Sequence, residues 1–459
     1  MNPGELRRIF EQLGQGHLFD HWQDRDPGRK QRLLEDLAEL DLRQLDRLLR
    51  CLQQPPAPPP ELSTYPVCTR ENQRRHKGLR AVGEEYLQSG RTAYLTAAGG
   101  QGSRLGFEGP KGMFPISPVR KASLFQIFAE KIKAARRRYG ARPTWYIMTS
   151  PLNHSETVRC FQSREYYGLQ ENEVVFFSQE LFPSLSPEGR LIIAEDGRVF
   201  KNPNGHGGLL SALYKQGLLE HMQERGIEEL FYFQVDNPLV QVPDPFFLGM
   251  HLLEVSLFSS KVIPKSCAEE RLGTVGQIDG HPGIIEYSDL DAAHMYARDE
   301  QGNLLFLFGS IAVHIFNVAF LIANWNELPL HRAGKQVRTF VPRAGGGEIE
   351  TRDAVKLEMF VFDALMQVEN PLFFETSRRE EFAPLKNASG SDSIETCVRG
   401  LVEKHAAWLE QCGVEVPRNE RGESRYKIEI SPLYALDYRE LKKRLGMTVN
   451  KIDEDILLA

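Results

Sequence analysis

Cysteine is sparse: six residues in 459 (Cys51, Cys68, Cys160, Cys267, Cys397 and Cys412), with no Cys-x-x-Cys pair. That spacing excludes a small disulfide framework and the usual zinc-ligand patterns, so reduced thiols in a cytoplasmic protein are the expectation. Long apolar runs are lacking too. None approaches the roughly 20 residues a transmembrane helix needs, so no membrane partner is expected. The opening MNPGELRRIFEQLG is charged and amphipathic without an apolar segment, and no secretory signal is expected there. Basic charge is not in excess either. The formal net charge is −6, which gives no electrostatic reason to expect nucleic acid. The densest basic stretch (Lys131, Lys133, Arg136, Arg137 and Arg138) lies in a helical pattern and reads as a solvated helix face. No repeat at a solenoid period is present.

What is there alternates. Leu33, Leu34, Leu37, Leu40, Leu45, Leu48 and Leu49 fall at mostly helical spacings up to about Gln54. The run PPAPPP (Pro55 to Pro60) then forbids helix and favours an extended segment. A second helical stretch ends at Gly90, a C-cap candidate. Strands are expected at Ala93 to Thr96, Thr144 to Thr149, Glu173 to Ser178, Leu230 to Val235, Leu257 to Ile263 and Ile311 to Phe316. Helical runs such as SLFQIFAEKIKAARRRYG, GGLLSALYKQGLLEHMQERG and NVAFLIANWNEL lie between them. This alternation predicts an α/β fold whose mixed, mostly parallel sheet is flanked by helices, with ligands at the carboxyl ends of the strands. The division expected is a helical N-terminal region (1–90), a catalytic domain (91–389) and a small C-terminal domain (390–459).

The first strand runs into AAGGQGSRLGFEGPKGMFPI, from Ala97 to Ile116. A dinucleotide fingerprint is excluded, because Gly100-x-Gly102-x-x-x-Gly106 is one residue too long and two prolines follow where a helix would start. A Walker A loop is excluded because Lys111 precedes Gly112 and Met113. The physical features of an anion loop remain. Glycines bring N–H groups close to oxyanions, Arg104 offers a planar fork, and Lys111 a mobile charge. Glycine content alone suits a structural turn with two surface cations equally well.

The complete string resembles the L-x-x-G-G-x-G-T-R-L-G-x-x-x-P-K signature of the UDP-sugar pyrophosphorylase (UDPGP type 1) family, with Ser103 in place of Thr. The resemblance runs in order from about Thr92 to Ser389. It implies the Rossmann-like fold of the nucleotide-diphospho-sugar transferases. It also implies a uridylyltransferase that takes UTP and a sugar 1-phosphate to a UDP-sugar and pyrophosphate, with Mg²⁺ as cofactor. On this resemblance Ala97, Ala98, Gly99 and Gly100 contact the nucleotide, while Arg104 and Lys111 handle the UTP phosphates. WYIMTS (Trp145 to Ser150) matches a strand end near the nucleotide, and Gln179 of VVFFSQELFP matches a glutamine that reads uracil. In PNGHGGL, Gly205 admits the uracil ring, and His206 replaces the asparagine of the N-acetylglucosamine branch with the histidine of the glucose branch. Asp236 of YFQVDNPLV is the Mg²⁺ ligand and a UTP contact, with Asn237 as its supporting neighbour. Glu286 of GIIEYSDL accepts from a sugar hydroxyl, and Ser310 of FGSIAVHIF stands where the family has asparagine beside the sugar. Lys356 and Lys386 match lysines directed at phosphates, and the EFAPLKNA around Lys386 favours the N-acetylglucosamine branch.

N-acetylglucosamine 1-phosphate is therefore the expected sugar, with glucose, galactose and N-acetylgalactosamine phosphates left open by His206 and Ser310. A glycosyltransferase would need a D-x-D metal motif. DLD (Asp289 to Asp291) and DED (Asp453 to Asp455) fit the letters, but one begins a helical run and the other sits near the tail. A non-catalytic sugar-nucleotide sensor would have lost phosphate-handling residues, and Arg104, Lys111, Asp236, Lys356 and Lys386 are all present. Oligomeric state is not legible here.

Overall fold

The computed structural model describes residues 2–55, 58–325, 328–446 and 450–459. The chain divides into two compact units. The larger holds Glu61–Ser178, Ser211–Trp325 and Ala364–Ala459; the smaller holds Met1–Pro60, Gln179–Leu210 and Asn326–Asp363.

The larger unit is built on a ten-stranded sheet. Its strands are β1 (Leu62–Ser63), β2 (Thr92–Ala97), β3 (Trp145–Thr149), β4 (Val174–Ser178), β5 (Glu229–Gln234), β6 (Phe258–Pro264), β7 (Thr274–Ile278), β8 (His281–Ile285), β9 (Phe308–Asn317) and β10 (Leu372–Glu375). The spatial order is β1-β7-β9-β5-β2-β3-β4, with β8 on β7, β6 on β9 and β10 on β6. Strands β4, β3, β2 and β5 run parallel. Parallel neighbours require crossover connections, which is why helical runs separate them in sequence. Strand β9 is antiparallel to β5 and β6, and its pairing with β6 shifts register between Ser310 and His314.

Aromatic residues dominate the core of this unit: Trp145, Tyr94, Phe125, Phe128 and Phe231 are almost completely buried. The Trp145 indole N–H is satisfied by Thr96 Oγ1 at 2.7 Å. The helix Leu124–Tyr139 covers the parallel strands. Ser123 caps its start by accepting from the Gln126 N–H, and Gly140 ends it at φ 79°. The solvated face expected of its basic stretch fails at Lys131, which is buried and donates to the carbonyls of Pro238 and Val240. Those carbonyls face the core and need a donor more than the ammonium needs water. Past residue 390, the helix Ile394–Gln411 and the parallel pair Ile428–Ile430 and Ile456–Leu458 enclose a separate apolar cluster around Trp408, Leu409 and Leu441.

The smaller unit combines N-terminal helices with β-structure. The leucine-rich pattern forms two helices, Pro27–Glu39 and Leu42–Gln53, divided where Asp41 accepts from the N–H groups of Arg43 and Gln44. Asp36 ties the first of these to the segment after Arg198, accepting from Val199 N–H at 2.8 Å and from Arg198 at 3.1 Å. A long hairpin pairs His331–Arg343 with Gly346–Glu358. Of the expected extended run Pro55 to Pro60, residues 56–57 lie outside the described residues, as do 326–327 of NVAFLIANWNEL.

Candidate active site

In the larger unit, three neighbouring strands deliver candidate residues at their carboxyl ends. Strand β2 ends at Ala97, and Ala98 continues its pairing by donating to the Met148 carbonyl at 2.7 Å. The loop then folds back on itself. Gly102 N–H bonds the Gly109 carbonyl at 2.9 Å, and Lys111 N–H bonds the Gly100 carbonyl at 3.0 Å. Gly109 makes that return at φ 120°, a conformation a side chain would strain. The β3 end supplies an anchor that sequence reading missed. Buried Asn153 donates to the carbonyls of Ala98 (3.0 Å) and Gly100 (3.3 Å), while its own oxygen accepts from Ser150 N–H at 2.8 Å.

The return of the loop places Lys111 beside Asp236, which follows the end of β5. Lys111 Nζ and Asp236 Oδ2 are 3.4 Å apart, both mostly buried. Arg104 stands exposed on the turn Ser103–Leu105. At Gly100 the protein's own packing makes no demand for glycine: a Cβ there would meet nothing nearer than Lys111 Cε at 3.9 Å.

Lys386 is brought into the same neighbourhood through the backbone. Leu385 N–H donates to the Asp236 carbonyl at 2.8 Å. Asn237 donates to the Glu381 carbonyl at 2.7 Å and accepts from Ala383 N–H at 3.2 Å, so its work is to splice two segments together. The Lys386 ammonium pairs with Asp392 at 3.3 Å. Glu286 and Ser310 meet at a common glycine: Ser310 N–H donates to the Gly273 carbonyl at 2.8 Å, and a Cβ on Gly273 would lie 3.5 Å from Glu286 Oε2.

In the smaller unit, Gln179 is buried, and the loop Pro203 to Gly208 is zipped to Met359. Met359 N–H donates to the Asn204 carbonyl (2.9 Å) and Gly207 N–H to the Met359 carbonyl (2.8 Å). Gly205 is obligatory there. Its φ is 82°, and a Cβ would come within 2.3 Å of the Met359 carbonyl oxygen. His206 lies against the Phe360 ring at 5.2 Å and the Phe362 ring at 5.4 Å. Burial pushes its imidazole pKa down to about 4, so the ring is neutral near pH 7. Val361 N–H donates to His206 Nδ1 at 3.1 Å, which leaves the proton on Nε2. His206 can therefore offer a ligand a donor but not an acceptor. Lys356, on the hairpin, is paired with Glu358. The Phe360 and Phe362 rings carried no functional signal in the sequence, where FVF reads as ordinary core.

Among the described residues no group of three or more His, Cys, Asp or Glu side chains could hold a metal ion. A single carboxylate at a strand end suits a hard cation that brings most of its oxygen ligands with it as phosphates and water. Asp236 fits that role, and an all-protein cage is not what the site offers.

The sequence profile of the UTP–glucose-1-phosphate uridylyltransferase family matches residues 63–451. The UDP-N-acetylglucosamine diphosphorylase 2 of Arabidopsis thaliana is 34% identical over 92% of this chain and 88% of its own length. The UDP-N-acetylhexosamine pyrophosphorylase-like protein 1 of Mus musculus is 34% identical over 89% and 86%. Among solved structures, the uridine diphosphate N-acetylglucosamine pyrophosphorylase of Trypanosoma brucei superposes with a TM-score of 0.74 at 26% identity, covering 97% of this chain and 96% of that one.

Proposed function

The chain belongs to the UTP–glucose-1-phosphate uridylyltransferase family, and on that premise we propose that it joins UTP to N-acetylglucosamine 1-phosphate. A phosphate oxygen of the sugar phosphate attacks the α-phosphorus of UTP. The bond from the α-phosphorus to the oxygen bridging it to the β-phosphorus breaks, and pyrophosphate departs with that oxygen. The attacking oxygen is already anionic, so no general base is needed, and the work lies in alignment and charge neutralisation.

Each residue then has a defined task. Ala97 to Gly100 give the nucleotide a close backbone approach, which agrees with the absence of any internal packing reason for glycine at position 100. Lys111 and Arg104 hold the departing pyrophosphate. Lys356 and Lys386 neutralise phosphate charge that would otherwise repel the attacking anion. Gln179 and Gly205 take the uracil, and His206, Glu286 and Ser310 the sugar. Members of the family generally need a divalent metal. Mg²⁺ is the proposed ion, held by Asp236, and when bound it supplies charge neutralisation to the phosphates. On this reading residues 91–389 carry the chemistry, flanked by 1–90 and 390–459. A cytoplasmic location is supported by six cysteines that are all free thiols.

The observation that most supports the reading is the 3.4 Å approach of Lys111 to Asp236. It brings the cation proposed for the phosphates beside the carboxylate proposed for the metal, where two parallel strands end. Pyrophosphate release from UTP and N-acetylglucosamine 1-phosphate with Mg²⁺ tests it. Lys111→Ala and Asp236→Ala are each expected to lower kcat about 10²–10³-fold. Turnover near that of the unaltered enzyme in either variant would overturn the assignment.

A further inference from the structure

The loop that follows Asp236 is held from behind by two buried lysines directly and by a third through Glu381, whose carboxylate accepts from Gln241 N–H at 3.3 Å. Lys131, on the helix Leu124–Tyr139, donates to the carbonyls of Pro238 (2.6 Å) and Val240 (2.5 Å). Lys404, on the helix Ile394–Gln411, donates to the carbonyls of Leu239 and Glu380, each at 2.7 Å. Lys261, in β6, is fully buried and bonds Asp244 Oδ2 at 2.6 Å and both Glu381 carboxylate oxygens at 2.5 and 2.7 Å. The Glu381 carbonyl in turn accepts from Asn237. Lys131 and Lys404 are also almost wholly buried, so none of the three ammonium groups is placed to meet solvent.

Burying an ammonium ion costs several kcal/mol, and apolar side chains of similar size would fill the same space more cheaply. What apolar side chains cannot do is satisfy main-chain carbonyls turned into the core. Here the carbonyls of 238, 239, 240 and 380 are each tied to a lysine, and 381 is tied through Asn237. Residues 236–241 are thereby fixed against residues 380–386, the segment that ends in Lys386.

We propose that Lys131, Lys261 and Lys404 are positioning residues that lock Asp236 and Lys386 into one rigid platform, so that carboxylate and ammonium act on the same phosphates as a unit. The inference rests on the roles assigned above to Asp236 and Lys386. Misplacement by an ångström is enough to lose most of the benefit of alignment.

A double-mutant cycle in the full-length protein tests it. Lys404→Met keeps length and volume and removes the donors; Lys404→Arg restores donors; each is combined with Lys386→Ala. Amide hydrogen exchange over 236–241 and 380–386 is measured alongside kcat and KM. Lys404→Met should lower kcat about tenfold, leave KM for UTP within about threefold, and speed exchange in both segments, with Lys404→Arg recovering most of the loss. In the Lys386→Ala background the same change should lower kcat less than about twofold, because what the clamp secures is the alignment of Lys386 with Asp236, and that background has already lost it. A full tenfold loss in that background, or unchanged kcat despite faster exchange, would overturn the clamp. Lys386→Ala alone at unaltered turnover would instead overturn the assignment of Lys386 beneath it. Should Lys404→Met fail to fold, Lys131→Met runs the same cycle with the same outcomes.

Discussion

His206 shows how much one side chain's surroundings decide. Its acceptor nitrogen is spent on the Val361 N–H, and its ring is kept neutral by burial. An asparagine at that place could present both a donor and an acceptor to a ligand; this histidine presents only Nε2–H, which on the proposed function meets the sugar. His206→Asn is therefore expected to change KM for the sugar 1-phosphate severalfold while leaving KM for UTP nearly unaltered, as initial-rate kinetics with each substrate varied would show. The same burial makes a prediction for stability. The folded pKa of about 4 lies below the ordinary 6.5, so between those values the unfolded chain binds more protons than the folded one. The stability tied to neutral His206 is complete above about pH 6.5 and is lost as pH falls toward 4. His405, also lowered to about 4 by burial and by Lys404, adds to the same slope. Denaturant titrations across this range should show a shallower acid-side decline in His206→Asn than in the unaltered protein; identical slopes would contradict it. At this scale residue type and order were enough to single out Lys111 and Asp236, which the structure brings within 3.4 Å, while the chemistry assigned to them stays a proposal. Asn153 was not legible, and Asn237 was read only as a neighbour supporting Asp236. Their importance comes from hydrogen bonds to residues 98, 100, 381 and 383, which no local pattern announces.

Among the elements, the parallel strands were legible and the long hairpin was not. Ala93 to Thr96 became β2 and Leu230 to Val235 became β5, each shifted by a residue or two, because buried strands read as apolar runs between turn signals. Ile311 to Phe316 lengthened into β9, whose first residues Phe308, Gly309 and Ser310 pair with β6 but, with Gly and Ser among them, offer no apolar run to mark its start. The hairpin segments HRAGKQVRTFVPR and GGEIETRDAVKLE are rich in charge because much of their surface faces water, so neither shows an apolar run. The parts of the smaller unit come from three stretches of sequence, a division that only tertiary contacts reveal. Gly205 tests the local architecture at its tightest place. Gly205→Ala combines a left-handed backbone with a carbonyl at 2.3 Å from the new Cβ. It should cost about 1–3 kcal/mol in thermal unfolding and weaken UTP binding in calorimetry. An unchanged melting temperature would mean that the loop does not hold the φ described.

For the molecule as a whole, the net charge of −6 excludes attraction of anionic substrates by overall charge. On the proposed function, recruitment of UTP and a sugar phosphate falls to local cations, the role proposed for Arg104, Lys111, Lys356 and Lys386. Family membership fixes the nucleotidyl chemistry, while the preference for the sugar is proposed to lie with His206 and Ser310. The central claim is tested most directly by supplying UTP and Mg²⁺ with N-acetylglucosamine, N-acetylgalactosamine, glucose and galactose 1-phosphates in parallel, and quantifying UDP-sugar and pyrophosphate. The account predicts equimolar UDP-sugar and pyrophosphate, with the highest kcat/KM for N-acetylglucosamine 1-phosphate. Formation of no UDP-sugar from any of the four, or a higher kcat/KM for glucose 1-phosphate, would contradict it.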